Sequence, residues 1–331
     1  MGTASALKQT RRNFLKTVGI VTGGLVVSGS LRVPKAISAE SSAENFADYF
    51  YDSLIKGVTS ISPDVLKLLQ DARSQEDASG RAMIDALLKN VAISQSKKSG
   101  ICQSPGLPYV RIRCGPDMTG IDYASIIGSS VVRATKEGYL RPSIVHPLTR
   151  KNTGNNSGPG IPNFDYTLDT KLDHVEVIVS FKGCGAEWGN AYRTFDTETL
   201  GKNLVGMKRF VLETVINSGG KPCPPIGLGI GIGGQMDGAA KLSRVAISTR
   251  KWDDRNPDPQ LDRLEQDFKV AINQLGIGPA GAGGKTSALA VKIGMAYTHT
   301  AICPVAVNFH CWTARRFGYK WNKDGLMEVI L

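Results

Sequence analysis

The residues best suited to chemistry are concentrated in one stretch near the end of the chain, residues 297–316. This stretch holds two histidines, two cysteines, a tryptophan and paired arginines around a short apolar run at residues 304–307. β-Branched residues between polar flanks predict a short buried strand. Cys311 and Trp312 follow where the strand gives way, which is a usual place for reactive groups in an α/β protein. The stretch is a candidate metal or catalytic site.

The cysteines allow two different interpretations. In an exported protein an even number of cysteines is typical of disulfides. A chain of 331 residues does not need such cross-links, however, and the spacing shows no compact disulfide framework. Disulfides and a metal site therefore both remain open from spacing alone. The six cysteines are Cys102, Cys114, Cys184, Cys223, Cys303 and Cys311.

The first 39 residues predict a signal peptide of the twin-arginine type. Arg11-Arg12 lies in the run TRRNFLK, a Gly-rich apolar run follows at residues 18–29, and Ile37-Ser38-Ala39 offers a small-residue cleavage site. A short membrane anchor is the alternative, but the apolar run is too short to span a bilayer, which needs about 20 residues. We expect a periplasmic domain over residues 40–331 with no stable membrane anchor.

The net charge is largely a property of the same N-terminal segment. The chain has 40 basic and 29 acidic residues, a formal charge of +11. Six of the basic residues and none of the acidic ones lie in residues 1–39, so 34 basic residues face 29 acidic ones in the remainder, or +5. Basic and aromatic residues do not alternate there either, and nucleic-acid binding is not predicted.

Apolar periodicity predicts a mixed α/β fold with a helical N-terminal layer packed on its core. Residues 43–99 read as helices, with a helix start at Ser62-Pro63-Asp64. Alternating residues predict strands at 109–113 and 174–181. Further helices are predicted at 121–136, 197–218 and 261–275.

Two glycine-rich segments resemble nucleotide-binding loops without matching them. Residues 226–234 repeat glycine, but the acids about 20 residues on, Asp253 and Asp254, lie in a loop-like run and not at a strand end. Residues 276–286 end in Gly-Lys-Thr, but the phosphate-loop pattern needs glycine where this chain has Pro279. Nucleotide binding is therefore not favoured.

Residues 298–316, THTAICPVAVNFHCWTARR, strongly resemble the end of the α-subunit of two-subunit class I fumarases and L-tartrate dehydratases. The resemblance covers roughly residues 45–320. It extends to Cys102-Gln103-Ser104-Pro105-Gly106, to Arg141 with the Asn152-Thr153-Gly154 loop, to the turn at residues 182–187, and to Cys223 with its glycine turn. It implies a fold like the N-terminal domain of class I fumarases, with the helical N-terminal layer packed on a mixed-sheet core.

The resemblance implies an iron–sulfur centre. Cys102, Cys223 and Cys311 stand at the family's ligand positions for a [4Fe-4S] cluster, with Cys303 as a rival to Cys311. One iron would then lack a protein ligand and act as a Lewis acid.

The resemblance also implies roles for other residues. Gln103, Arg141 and Gly185 are the expected substrate-binding residues, and Ser104 and His299 are the expected catalytic residues. Ser104 stands where relatives carry an aspartate implicated in proton transfer, and a serine is no acid or base at neutral pH without activation. His310 is expected to be structural.

The function implied is that of the cluster-bearing subunit of an exported hydro-lyase for a dicarboxylic hydroxy acid of the fumarate/malate type. L-Tartrate dehydration, and a redox or binding subunit without catalysis, remain open. A β-subunit should complete the substrate site, in an α2β2 assembly. The twin-arginine translocase should export the folded chain, with the β-subunit bound to it if that subunit lacks its own signal.

Overall fold

The computed structural model describes residues 39–331, with side chains from residue 43 onwards. The predicted signal peptide lies outside the described residues except for residue 39, which begins the first helix. Within the described range, no helix is both long and apolar enough to cross a membrane.

The main elements follow in chain order. The helices are α1 (Ala39–Thr59), α2 (Pro63–Gln75), α3 (Ala78–Lys97), α4 (Tyr123–Lys136), α5 (Cys184–Trp188), α6 (Thr197–Leu200), α7 (Val205–Ser218), α8 (Met236–Thr249) and α9 (Pro259–Gln274). The strands are β1 (Leu107–Cys114), β2 (Asn163–Leu168), β3 (Val175–Lys182), β4 (Ala191–Asp196), β5 (Ile226–Ile232), β6 (Ala288–Met295), β7 (Ile302–His310), β8 (Arg315–Asn322) and β9 (Gly325–Val329).

The strands form two mixed sheets. The first has the order β2-β1-β3-β8-β9, with β1 and β2 parallel and the other neighbours antiparallel. The second has the order β4-β7-β5-β6, with β5 and β6 parallel and β7 antiparallel to both of its neighbours. The chain passes from the second sheet to the first in the four residues between β7 and β8, so Cys311 lies at this junction.

Helices α1 and α4 cover one face of the first sheet. Phe46, Phe50 and Leu54 of α1 are fully buried against apolar residues of β1, β3 and β8. The start of α2 follows the sequence signal, with Ser62 in an extended conformation and Pro63 at the first helical position. The predicted helical layer on a mixed-sheet core is confirmed.

Helix α8 lies between the two sheets, and the glycine repeat of β5 explains how closely it packs. A Cβ at Gly229 or Gly231 would stand 2.0 Å from the carbonyl oxygen of Ser243 or Ala239 on α8. The alternate residues, Leu228 and Ile230, are buried in the core on the other side, beneath α7 and α9. The repeat therefore serves helix–sheet packing.

The second glycine-rich segment is also held by the protein itself. The Glu76 carboxylate accepts hydrogen bonds from the backbone N–H groups of Lys285 (2.9 Å) and Thr286 (2.6 Å). The backbone donors that a phosphate would need are thus occupied by a side chain of this chain.

Strands β2, β4, β5, β6, β8 and β9 were not anticipated from the sequence. β4 and β9 are edge strands with little alternation. β8 begins with two buried arginines, and its alternating apolar residues, Phe317, Tyr319 and Trp321, come only after them. Buried charged residues at the start of a strand do not contribute to apolar periodicity.

Candidate metal centre and active site

Three of the six cysteines come together from three separate turns. Cys102 precedes β1, Cys223 precedes β5 and Cys311 follows β7. The pKa of the Cys223 thiol is raised, first by burial and then by the Cys311 and Cys102 thiols, whereas Arg315 acts in the opposite direction. Because such effects weaken with distance, the three sulfur atoms and the guanidinium share one site.

The backbone fixes this arrangement. Cys223 adopts a left-handed conformation with φ of 58°. Its carbonyl accepts a hydrogen bond from the N–H of Trp312 at 3.2 Å, which joins the turns that carry Cys223 and Cys311. Gly185 packs against the same turn, since a Cβ there would stand 2.0 Å from the Lys221 carbonyl oxygen. The predicted substrate-binding position of Gly185 therefore lies beside the thiols.

All six cysteines lie in the described range, and all are free thiols. Within this range, no group of three His, Cys, Asp or Glu side chains is gathered tightly enough to hold a single metal ion. A single ion needs its sulfur ligands at about 2.3 Å from one point. A four-iron cluster is itself several ångström wide, so its cysteine ligands stand farther apart, and three thiols on converging turns fit that requirement.

A cavity of about 380 Å³ adjoins the thiol site. Its walls come from the segment after Cys102, the loop after α4, the end of β3, and α5. The lining residues are Ser104, Gly106, Leu107, Ser143, Ile144, Lys182, Cys184, Glu187 and Trp188.

Ser104 connects the thiol site to this cavity. Its backbone N–H donates to the Cys102 sulfur at 3.4 Å, and its hydroxyl accepts from the N–H of Cys184 at 3.3 Å. The serine thus fills the position that the resemblance assigns to an aspartate, and it points its hydroxyl toward the first turn of α5.

Lys182 is the residue of this cavity that sequence reasoning left without a role. It is 1% exposed, its Nζ donates to the Asn308 side-chain oxygen, and it lies 3.2 Å from the Glu187 carboxylate. Burial lowers the pKa of Lys182 to about 8, although Glu187 opposes the shift. The sequence feature that could have pointed to Lys182 is its position at the end of a strand, directly before a glycine-rich turn.

Gln103 and Arg141, the other predicted substrate-binding residues, are both exposed. Gln103 lies between Cys102 and Ser104. The buried Asn156 holds the backbone after α4 by donating to the Arg141 carbonyl (2.9 Å) and accepting from the Ser143 N–H (2.8 Å). Arg141 therefore stands two residues from the cavity wall on a fixed segment.

His299 and Cys303 lie at the other end of β7. The strand has nine residues, which at ~3.3 Å each place its ends roughly 30 Å apart. His299 is exposed, and Cys303 packs with the core of the second sheet. This chain does not bring either residue to the three thiols. The catalytic role of His299 stays a prediction.

His310 is fully buried next to the site. It contacts the Ser180 hydroxyl at 3.0 Å, and its pKa lies well below the usual value because of burial and of the nearby Arg316, Lys182 and Arg315 charges. A neutral, hydrogen-bonded histidine in the core agrees with the structural role expected for it.

Comparisons with known proteins agree on one family of enzymes. The family model described as fumarate hydratase (Fumerase) matches residues 48–320. The putative L(+)-tartrate dehydratase subunit alpha of Methanocaldococcus jannaschii is 38% identical over 258 residues, which cover 76% of this chain and 89% of that protein. The L(+)-tartrate dehydratase subunit alpha of Escherichia coli K12 is 31% identical over 257 residues, covering 76% and 82%.

A third relative differs in length. The putative fumarate hydratase class I of Geobacillus stearothermophilus is 31% identical over 282 residues, covering 83% of this chain but 54% of that protein. The chain thus corresponds to about half of that relative.

Proposed function

Because the chain belongs to the fumarate hydratase family and is a hydro-lyase, we propose that it is the cluster-bearing subunit of an exported enzyme for a dicarboxylic hydroxy acid. Fumarate and malate are the first candidate pair. Cys102, Cys223 and Cys311 would hold a [4Fe-4S] cluster. The convergence of these thiols beside a cavity that contains a buried lysine carries the proposal.

The cluster, when bound, supplies an iron without a protein ligand as a Lewis acid for the departing hydroxyl. The chain's own residues bind and orient the substrate. Arg141 offers a planar fork to one carboxylate. Lys182 places a positive charge in the cavity wall, and the turn at Gly185 lets the backbone approach closely. Ser104 accepts a hydrogen bond from the chain and holds the first turn of α5 against Cys102.

L-Tartrate is the second candidate substrate. Two of the relatives are tartrate dehydratase α-subunits, and the more similar of them is 38% identical. Ser104 in place of an acidic residue also favours a substrate or a proton-transfer step that differs from that of fumarases.

A β-subunit is part of the proposal. Two relatives are named as α-subunits, and the fumarase relative is about twice as long as its matching region. We infer an α2β2 assembly whose β chain completes the substrate site. The predicted twin-arginine signal implies that the folded assembly is exported to the periplasm, with the β chain carried by this one.

The test is anaerobic co-expression and co-purification with a candidate β chain. Iron and sulfide content are measured first, then fumarate formation from malate and oxaloacetate formation from tartrate. Turnover of either acid supports the proposal and selects the substrate. A cluster without turnover would favour a binding or redox subunit, and Ser104→Asp would test whether the serine is the cause.

Two serine variants test the ligand set. Cys311→Ser should lose the cluster, because it removes one of the three converging thiols. Cys303→Ser should retain iron and sulfide, since Cys303 lies at the far end of β7. Loss of the cluster in Cys303→Ser alone would contradict the assignment.

A further inference from the structure

Arg315 is a buried cation without a counter-ion. It begins β8, is 1% exposed and is among the largest fully buried side chains. Its Nε and Nη2 atoms are buried and have no hydrogen-bond partner, and no carboxylate of the described residues lies within ion-pair distance of it. A guanidinium is always charged, so this arrangement is costly unless an anion stands next to it.

The neighbouring Arg316 lies in the same strand and is also buried, but its guanidinium makes hydrogen bonds within the protein. Its Nη2 donates to the Asp64 carboxylate at 2.6 Å, and its Nη1 donates to the Arg250 carbonyl at 2.5 Å. Its guanidinium also lies over the Trp252 ring, 5.0 Å from the centroid. Two adjacent arginines are therefore buried for different reasons, and among the described residues only Arg316 has partners for its guanidinium.

The surroundings of Arg315 place it at the three-thiol site. Its charge opposes the rise in the pKa of the Cys223 thiol that burial and the other two thiols cause, so it lies near that sulfur. Its Nη2 is 3.6 Å from the point where a Cβ would stand on Gly183, and Ser104 atoms lie 3.2 and 3.3 Å from that point. The absence of a side chain at Gly183 leaves space in front of the guanidinium, between the thiols and the cavity.

We propose that Arg315 is a binding residue for the iron–sulfur cluster and donates its free N–H groups to the anionic assembly of thiolates and sulfide. The inference rests on the proposed function. Three thiolates bring negative charge to this place, and the guanidinium offsets it. Arg315 would thus hold the cluster in addition to the three cysteine ligands.

The test compares the full chain with Arg315→Met, Arg315→Lys and Arg316→Met, each before and after anaerobic loading with ferrous iron and sulfide. The metal-free Arg315→Met protein should melt at the same temperature as the parent or higher, because it loses an uncompensated charge. Metal-free Arg316→Met should melt lower, because it leaves Asp64 buried without its partner. These opposite signs separate a cluster-binding arginine from a structural one.

The loaded proteins give the second readout, which is the rate of iron loss to a chelator. A hydrogen bond to a charged group contributes enough for iron loss from Arg315→Met to be roughly ten- to a hundredfold faster than from the parent. Arg315→Lys keeps the charge without the fork and should fall between the two.

Three results would overturn the proposal. Metal-free Arg315→Met could melt as low as Arg316→Met, which would make the residue structural. Arg315→Met could hold iron as well as the parent, and a raised KM for the dicarboxylate would then assign the arginine to substrate. If the parent chain itself takes up no iron and sulfide, the proposed function fails, and this result is recognised without any variant.

Discussion

The charge of Lys182 depends on its environment. It is fully buried, and its ammonium group is stabilised at close range by Glu187 and Asn308. Burial lowers the pKa of Lys182 by more than the Glu187 carboxylate raises it. The pKa is therefore about 8, against an ordinary value of 10.5. A lysine that can lose its proton near neutral pH beside this cavity is a candidate for proton transfer, which Ser104 by itself does not provide.

We expect this shift to appear as a pH-dependent stability difference between the parent and Lys182→Met. Between pH 8 and 10.5 the unfolded chain binds the proton and the folded chain does not, so the parent gains stability as pH rises. A shift of this size corresponds to roughly 3 kcal/mol. Urea unfolding of the metal-free proteins at pH 7, 8.5 and 10 measures it.

The matched control is exposed Lys202→Met. Its difference from the parent should stay constant over the same pH range. If the Lys182→Met difference is equally flat, Lys182 does not titrate near pH 8 in the folded protein.

At the scale of elements, the contact between β5 and α8 decides how the two sheets are spaced. Gly229 and Gly231 let the α8 backbone lie directly on the strand. Helix α8 supplies Arg244, which contacts Glu187 at 3.4 Å, and Glu187 in turn accompanies Lys182. A change in the distance between β5 and α8 would therefore move Arg244 relative to Glu187 and alter the cavity wall.

Gly231→Ala tests this packing. Its new Cβ would stand 2.0 Å from the Ala239 carbonyl oxygen, a backbone atom that cannot rotate away. We expect a loss of at least about 1–3 kcal/mol in the free energy of unfolding. Thermal and urea unfolding measure the loss.

Gly238→Ala in α8 is the control for this substitution. No atom lies within 4 Å of its new Cβ. Because alanine is the better helix former, this variant should gain about 0.5–1 kcal/mol. Equal effects of the two substitutions would contradict the packing argument.

At the scale of the whole molecule, one buried ion pair joins the two ends of the described chain. Asp64 in the first turn of α2 binds Arg316 of β8 and also accepts from the Trp252 N–H at 2.7 Å. Burial by itself would raise the pKa of Asp64, but Arg316, Ser62 and the Trp252 N–H outweigh it and lower the pKa below 3.8. The helical layer and the strand after Cys311 thus share one charged contact.

Asp64→Asn should destabilise the protein by about 3–5 kcal/mol at pH 7, because it leaves Arg316 buried without its counter-ion. The folded pKa is lowered, so the contribution of Asp64 is complete above its unfolded pKa and is lost as pH falls through the folded value. The difference between the parent and the variant should therefore shrink below about pH 4.

Urea unfolding of the metal-free proteins between pH 3 and 7 checks this expectation. Asp85→Asn, which removes an exposed partner of Arg73, is the control and should change little at any pH. If the difference in the free energy of unfolding between the parent and Asp64→Asn does not vary with pH, Asp64 is not charged in the folded protein.

The sequence by itself determined the fold class, most of the helices and the position of Cys311 after a buried strand. These features depend on local patterns: the apolar stripe of α1, the Ser62-Pro63 helix start, and the β-branched run of β7. The family followed from motifs that keep residue types in a fixed order. Such motifs can be recognised without knowing which distant residues come into contact.

The tertiary structure decided which chemical residues share a site. His299 and Cys303 are close to Cys311 in sequence, but an extended strand carries them to the opposite end of the second sheet. Cys102 and Cys223 are distant in sequence, yet their turns meet the turn of Cys311. The charged side chains also depended on packing: burial lowered the pKa of Lys182, and of the adjacent Arg315 and Arg316 only Arg316 has an ion-pair partner among the described residues.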